Sequence, residues 1–124
     1  MGWNGQGEGR VQVTQNDDCV RFFELGTFIL DGQTRSVPMR NVYRWDIFPD
    51  RIALAHERRG AEAPVPLFDL IAETDDVLVS AHVHQCAADA YSARLKLHPD
   101  GLELEWRIAG PRKDERILYR YRTP

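Results

Sequence analysis

His82, His84, Cys86, Asp89 and Tyr91 fall within one strand-like run, residues 77–97 (VLVSAHVHQCAADAYSARLKL). A second cluster, Trp106-Arg-Ile-Ala-Gly-Pro-Arg-Lys-Asp114, lies near the C-terminus. Together they hold most of the side chains in this chain that could act as bases, acids, ligands or anion holders. The His-x-His-x-Cys spacing raises a metal reading. Same-face neighbours on a strand are about 6.5–7 Å apart at Cα, so two can chelate one ion but three in a line rarely can. A third ligand would have to come from His56, Asp89 or another strand. Zinc, iron, or a haem with one of these histidines axial are the forms this reading takes.

Proton transfer is the enzyme chemistry these residues support. His84 is the general base, Asp89 orients it, Tyr91 is the acid, and Arg112 holds an anionic substrate group. An isomerase or lyase fits that set. No G-x-S-x-G motif supports a hydrolase, and Cys86 lacks a signature of activation.

Each of these residues also has a structural reading. On one continuous strand His82, His84 and Cys86 share a face, and Val77, Val79, Ala81 and Val83 share the other. Hydrophobic counting turns the valines inward and the histidines outward, whereas a ligand-binding barrel inverts this near its mouth. Asp89 and Tyr91 share a face with Ala93, Leu95 and Leu97, so they point inward and require partners. Arg112 or Lys113 is the counter-charge, and the pair closes one end of the fold above Trp106. His56, beside Ile52 and Leu54, reads as a hydrogen-bonded core histidine.

The elements that must position these groups are strands. Gly2, Gly5, Gly7 and Gly9 lead into Val11-Gln-Val13 and leave one strand face bare, which permits coiling or close passage of another backbone. The spacing is not that of a phosphate loop. Asn16-Asp-Asp18 is a turn, and Cys19–Leu30 is a strand with Gly26 as a bulge or bend. Asp31-Gly32 closes a hairpin as a type I′ turn. Residues 35–48 alternate Val37, Met39, Tyr43, Trp45 and Ile47 against Arg40, Arg44 and Asp46. Further strands cover 51–58, 65–71, 77–86, 89–97, 102–108 and 115–122, separated by turns at Pro49-Asp50, 59–66, 73–76, 98–101 and Gly110-Pro111. No helical period is present. Eight or nine consecutive hairpin-joined strands predict an all-β, antiparallel up-and-down barrel that escapes its own edges by closing.

At 124 residues the chain is one domain, 1–124, large enough to bury a core without staples. The net charge of −3 argues against nucleic acid as a partner, which would call for a basic stripe. Fourteen arginines stand against two lysines, a bias that suits carboxylate or phosphate recognition but also follows from genomic base composition. Cys19 and Cys86 read as free thiols. No run of eighteen apolar residues and no signal-peptide pattern is present, so a cytoplasmic protein with no membrane association is expected.

The residues His84-x-Cys86-x-x-Asp89-x-Tyr91 and Trp106-x-x-x-Gly110-Pro111-Arg112-Lys113-Asp114 resemble a domain-of-unknown-function family of bacterial and fungal proteins. Glu24-x-Gly26-x-Phe28 and Tyr43-Arg44-Trp45 extend the likeness over nearly the whole chain. That family is regarded as calycin-like, that is, lipocalin-related. The resemblance implies a barrel closed at one end by an arginine packed over a tryptophan, and it implies no reaction. Family members begin with a Leu-x-Gly-x-Trp strand, for which Gly2-Trp3 leaves little room here. A missing strand would leave an unpaired edge and invite homodimerisation.

The sequence thus predicts a calycin-like barrel that binds a small, partly apolar molecule carrying an anionic group. Tyr43, Arg44, His84, Asp89, Tyr91, Trp106, Arg112 and Lys113 line the site. No particular cofactor is specified.

Overall fold

A computed structural model describes residues 5–86 and 88–123, with the side chains of His84 and Cys86 outside that description. The chain is all-β. Its strands are β1 (Gly5–Asn16), β2 (Cys19–Leu30), β3 (Val37–Ile47), β4 (Ile52–His56), β5 (Val65–Ala72), β6 (Val77–Ser80), β7 (His84–Cys86), β8 (Asp89–His98), β9 (Gly101–Ala109) and β10 (Asp114–Arg122). They form one antiparallel sheet in the order β1-β2-β3-β4-β5-β6-β8-β9-β10, and β7 also pairs with β8. Every pairing joins strands close in sequence, as a meander of hairpins requires.

The sheet curls into a nearly closed up-and-down barrel. β1 and β10 end the sheet, and side chains rather than backbone bonds span the gap: β10 reaches across to β2 and β3. Directly opposed residues in an antiparallel ladder share a face. Phe22 opposes Tyr43, which opposes His56, and Trp45 opposes Leu54, which opposes Phe68. The inner face therefore carries a core of Phe22, Tyr43, Trp45, Leu54, Phe68 and Leu70, continued by Ala93, Leu95 and Leu104. Leu54, Leu70 and Leu104 are its most completely buried side chains. Burial of this apolar surface is what closes the barrel.

At the Gly9–Gly26 pair two backbones approach closely. A Cβ on Gly9 would overlap the Leu25 carbonyl oxygen, and one on Gly26 would overlap that of Glu8. The β1–β2 and β2–β3 registers run unbroken through Gly26, so it is a point of close approach and not a bulge. A register shift falls instead between Leu54 and Ala55.

Two other expectations are corrected. The β2–β3 connection spans residues 31–36, and positive φ occurs at Gly32 (80°) but not at Asp31, which a type I′ turn would require. Residues 77–86 are also not one strand. The chain bends at 81–83, where the Ala81 N–H donates to the Asp69 carbonyl (2.7 Å) and the Ser80 hydroxyl accepts from the Ala93 N–H (3.1 Å). In β6 it is Leu78, opposite Leu95, that faces inward, while Val77 and Val79 oppose Lys96 and Arg94. Val77 and Val79 thus keep a common side, with Val77 buried, but the bend ends the valine face expected for the whole run, and Val83 is exposed.

Candidate functional site

The inner wall of β2, β3, β4 and β10 carries a chain of polar groups inside the apolar core. Glu24 lies two residues from Phe22 on the inward face and is only 5% exposed. Its register partner is Asn41, whose Nδ2 donates to Glu24 Oε1 at 3.5 Å. The Tyr121 hydroxyl donates to the other carboxyl oxygen, Oε2. Asn41 Oδ1 meets His56 Nε2 at 3.3 Å, and the Arg58 backbone N–H donates to His56 Nδ1 at 3.0 Å. An acceptor role at Nδ1 fixes the neutral tautomer, so Nε2 is the donor to Asn41. The chain is thus directional: His56 donates to Asn41, Asn41 to Glu24, and Tyr121 donates to Glu24 from the other side.

A second pair stands beside the first. The hydroxyls of Tyr43 and Tyr119 are 3.0 Å apart. The Tyr119 and Tyr121 rings stack at 6.0 Å with 4° between planes. Trp106 packs edge-on against Tyr43 (6.1 Å) and Phe68 (5.3 Å). The indole N–H groups of Trp106 and Trp45 are buried and have no acceptor among the described residues. A buried donor without an acceptor costs about 1–3 kcal/mol, so each is a place where an additional acceptor would be stabilising.

Electrostatics follow from burial. Desolvation holds the Glu24 carboxyl above the ordinary carboxylate range, opposed in part by the Tyr121 and Asn41 hydrogen bonds. Burial likewise raises Tyr43, Tyr119 and Tyr121, so all three remain O–H donors through neutral pH. Burial, and then the neighbouring Arg58 charge, lowers His56 and keeps it neutral. Among the described residues of this cluster, Glu24 is the one carboxyl, and its burial disfavours the charged form.

The residues expected from the sequence divide between three places. Tyr43 and Trp106 meet on the inner wall, and Tyr91 packs against the same core. Arg44 is on the outer face, where its Nε holds Asp46 (3.0 Å) and its Nη1 lies 3.9 Å from Glu57. Arg21 binds the same buried Glu57 at 3.1 Å. The nearby Cys19 is a free thiol whose pKa burial raises, against the pull of Arg44 and Arg21.

The third place is the β9–β10 turn. Lys113 Nζ is 3.6 Å from Asp89 Oδ2, the counter-charge expected of it, and Arg112 is exposed. Gly110 lies against Asp89, whose carboxyl would have to shift to admit a Cβ there. The backbones of His84 and Tyr91 pair directly, as do those of Cys86 and Asp89. The His84 and Cys86 side chains, and Gly2-Trp3, lie outside the described residues. His82 is exposed. Among the described residues no three His, Cys, Asp or Glu side chains converge in an arrangement that could hold a metal ion.

Glu24, Asn41, Tyr119 and Tyr121 were not singled out as site residues by sequence reasoning, although a signal was present. Glu24 interrupts the inward series Phe22, Gly26, Phe28, and Asn41 interrupts Met39, Tyr43, Trp45. A polar residue on an apolar strand face must find a partner. His56 is hydrogen-bonded within the fold, as its position beside Leu54 implied.

The fold and the site together define an antiparallel, nearly closed β-barrel with a buried carboxyl–tyrosine cluster on its inner wall. The chain belongs to the family of unknown function DUF6314, which it matches over residues 1–123. No curated protein and no solved structure matches it.

Proposed function

We propose that this protein is a small-molecule-binding barrel, related to the calycins, whose ligand seats against the inner wall of β2, β3, β9 and β10. The observation that carries this reading is the buried Trp106 indole N–H, without an acceptor among the described residues, on a ring that packs against Tyr43 and Tyr119, whose hydroxyls bond each other. Two tyrosine hydroxyls that bond each other retain one proton to donate. A ligand acceptor held by that proton and by the indole would satisfy both. Phe22, Phe68 and the Trp106 ring supply an apolar wall for the remainder of the molecule.

The described cluster contains Glu24 and no lysine or arginine, so an uncharged acceptor such as a carbonyl or amide suits it better than the anionic group expected from the sequence. A carboxylate would meet Glu24 with no compensating cation. An anionic ligand would instead draw on Lys113 and Arg112 at the β9–β10 turn.

The test is native mass spectrometry of the protein from its own host against its denatured mass. Titration with two fluorescent probes, neutral N-phenyl-1-naphthylamine and its anionic sulfonate, accompanies it. An organic adduct, or binding of the neutral probe weakened by Trp106→Phe and Tyr119→Phe, is expected. Preference for the sulfonate, with loss in Lys113→Ala, would transfer the site to the turn. A bare mass with no binding of either probe would overturn the binding role. Turnover lost in His84→Ala would favour proton transfer by His84, Asp89 and Tyr91, and an inorganic adduct would favour a metal or haem protein.

A further inference from the structure

Among the described residues β1 ends the sheet with one edge unpaired, and apart from half-buried Gly5 its residues are exposed. Its odd-numbered residues share the inward face of β2, since Gly7 opposes Phe28, Val11 opposes Glu24 and Val13 opposes Phe22. Val11 and Val13 are nevertheless 37% and 57% exposed. The even-numbered residues, Gln6, Glu8, Arg10, Gln12 and Thr14, lie on the outer face. Edge strands that remain single are guarded by charge of one sign, by proline or by bulges. β10 has such a guard, with Arg116, Arg120 and Arg122 against Asp114 on its outer face. β1 has none: its only charged residues are Glu8 and Arg10, of opposite sign and two positions apart.

That spacing makes the edge self-complementary. We propose that β1 is a homodimerisation edge, pairing antiparallel with β1 of a second copy about a two-fold axis at Gly9. In this register Glu8 opposes the partner's Arg10, Arg10 opposes the partner's Glu8, and Gln6 opposes the partner's Gln12. On the other face Val11 and Val13 oppose the partner's Gly7 and Gly5. The Phe28 ring packs against Gly5 and Gly7 in each copy, so each valine meets an aromatic surface across a bare glycine. Moving the axis one position pair in either direction sets Glu8 against Glu8 or Arg10 against Arg10. Like charges directly opposite are destabilising, so the charges select the Gly9 register. An isologous edge pairing of this kind closes on itself and limits assembly to two. It is independent of the ligand reading, because Glu8 and Arg10 lie on the outer face.

Sedimentation velocity on the full chain over a concentration series tests it. The wild type is expected to dimerise. Glu8→Arg and Arg10→Glu, both at exposed positions, should each weaken the dimer by about tenfold or more with unchanged circular dichroism. The double variant should restore it, and a mixture of the two single variants should form the heterodimer. A wild type that stays monomeric up to millimolar concentration overturns the proposal. So does a dimer indifferent to both single changes, which would place the contact on β10 or the outer face. Failure of the double variant to recover overturns the register.

Discussion

The Tyr121 hydroxyl donates to the Glu24 carboxyl across the inside of the barrel, joining residues 97 positions apart in the chain. The contact ties the last strand to the second where no backbone ladder does.

Tyr121→Phe leaves Glu24 buried with only the 3.5 Å bond from Asn41 among the described residues. A loss of about 1–3 kcal/mol is expected, the cost of an unsatisfied buried polar group. Denaturant unfolding measures it, and an unchanged midpoint would show that the bond contributes nothing net.

Glu24→Gln should change the pH dependence of stability. Burial raises the folded-state pKa of Glu24, so its contribution is fully present below the ordinary carboxylate pKa of about 4.3 and is lost as pH rises through the folded value. The wild type should therefore lose ground to Glu24→Gln between acid and neutral pH, and the variant should be at least as stable at pH about 8. Thermal unfolding of both proteins across that range gives the difference, and parallel curves would contradict the assignment.

Arg21 and Glu57 should respond unequally to substitution. The Glu57 side chain is 4% exposed and that of Arg21 is 25% exposed. Arg21→Met leaves a buried carboxylate facing Arg44 alone, at 3.9 Å, and should cost about 2–3 kcal/mol, less than a fully buried pair because Arg21 is partly solvated. Glu57→Gln leaves arginines that reach water and should cost about 1 kcal/mol. The reverse order in urea denaturation would refute this.

Gly26→Ala should cost about 1–3 kcal/mol, because its Cβ would meet the Glu8 carbonyl and force β1 away from β2. Accelerated amide exchange concentrated in β1 and β2 is the accompanying sign. Equal protection in both proteins would mean that the strands absorb the added methyl.

The strands were legible where alternation and turn residues agree. Cys19–Leu30 is a strand at the predicted bounds, and the turns at Asp17-Asp18 and Pro99-Asp100 fall where Asn, Asp and Pro cluster. The break at 81–83 was hidden, because nothing in Ala81-His82-Val83 forbids a strand. The side-chain acceptor of Ser80 and the carbonyl of Asp69 make it, and both are tertiary partners. The inner-wall site was hidden for a related reason. Glu24 and Asn41 stand out as polar residues on apolar faces, but nothing in their own strands names Tyr121 as a partner, and only closure brings β10 to β2 and β3. Asp89 with Lys113 was easier to foresee, since an inward-facing aspartate requires a cation and Arg112 and Lys113 stand together near the C-terminus.

The uninterrupted meander also bears on how the chain finds its fold. Nearly all of its strand pairing is between neighbours in sequence, so hairpins can form locally with little loop closure to overcome. The tyrosines of β10 are the late exception. They must wait for the whole sheet to curl before Tyr121 can reach Glu24 and Tyr119 can reach Tyr43. Folding rates should therefore be nearly indifferent to Tyr121→Phe, while unfolding accelerates, as for an interaction absent from the transition state.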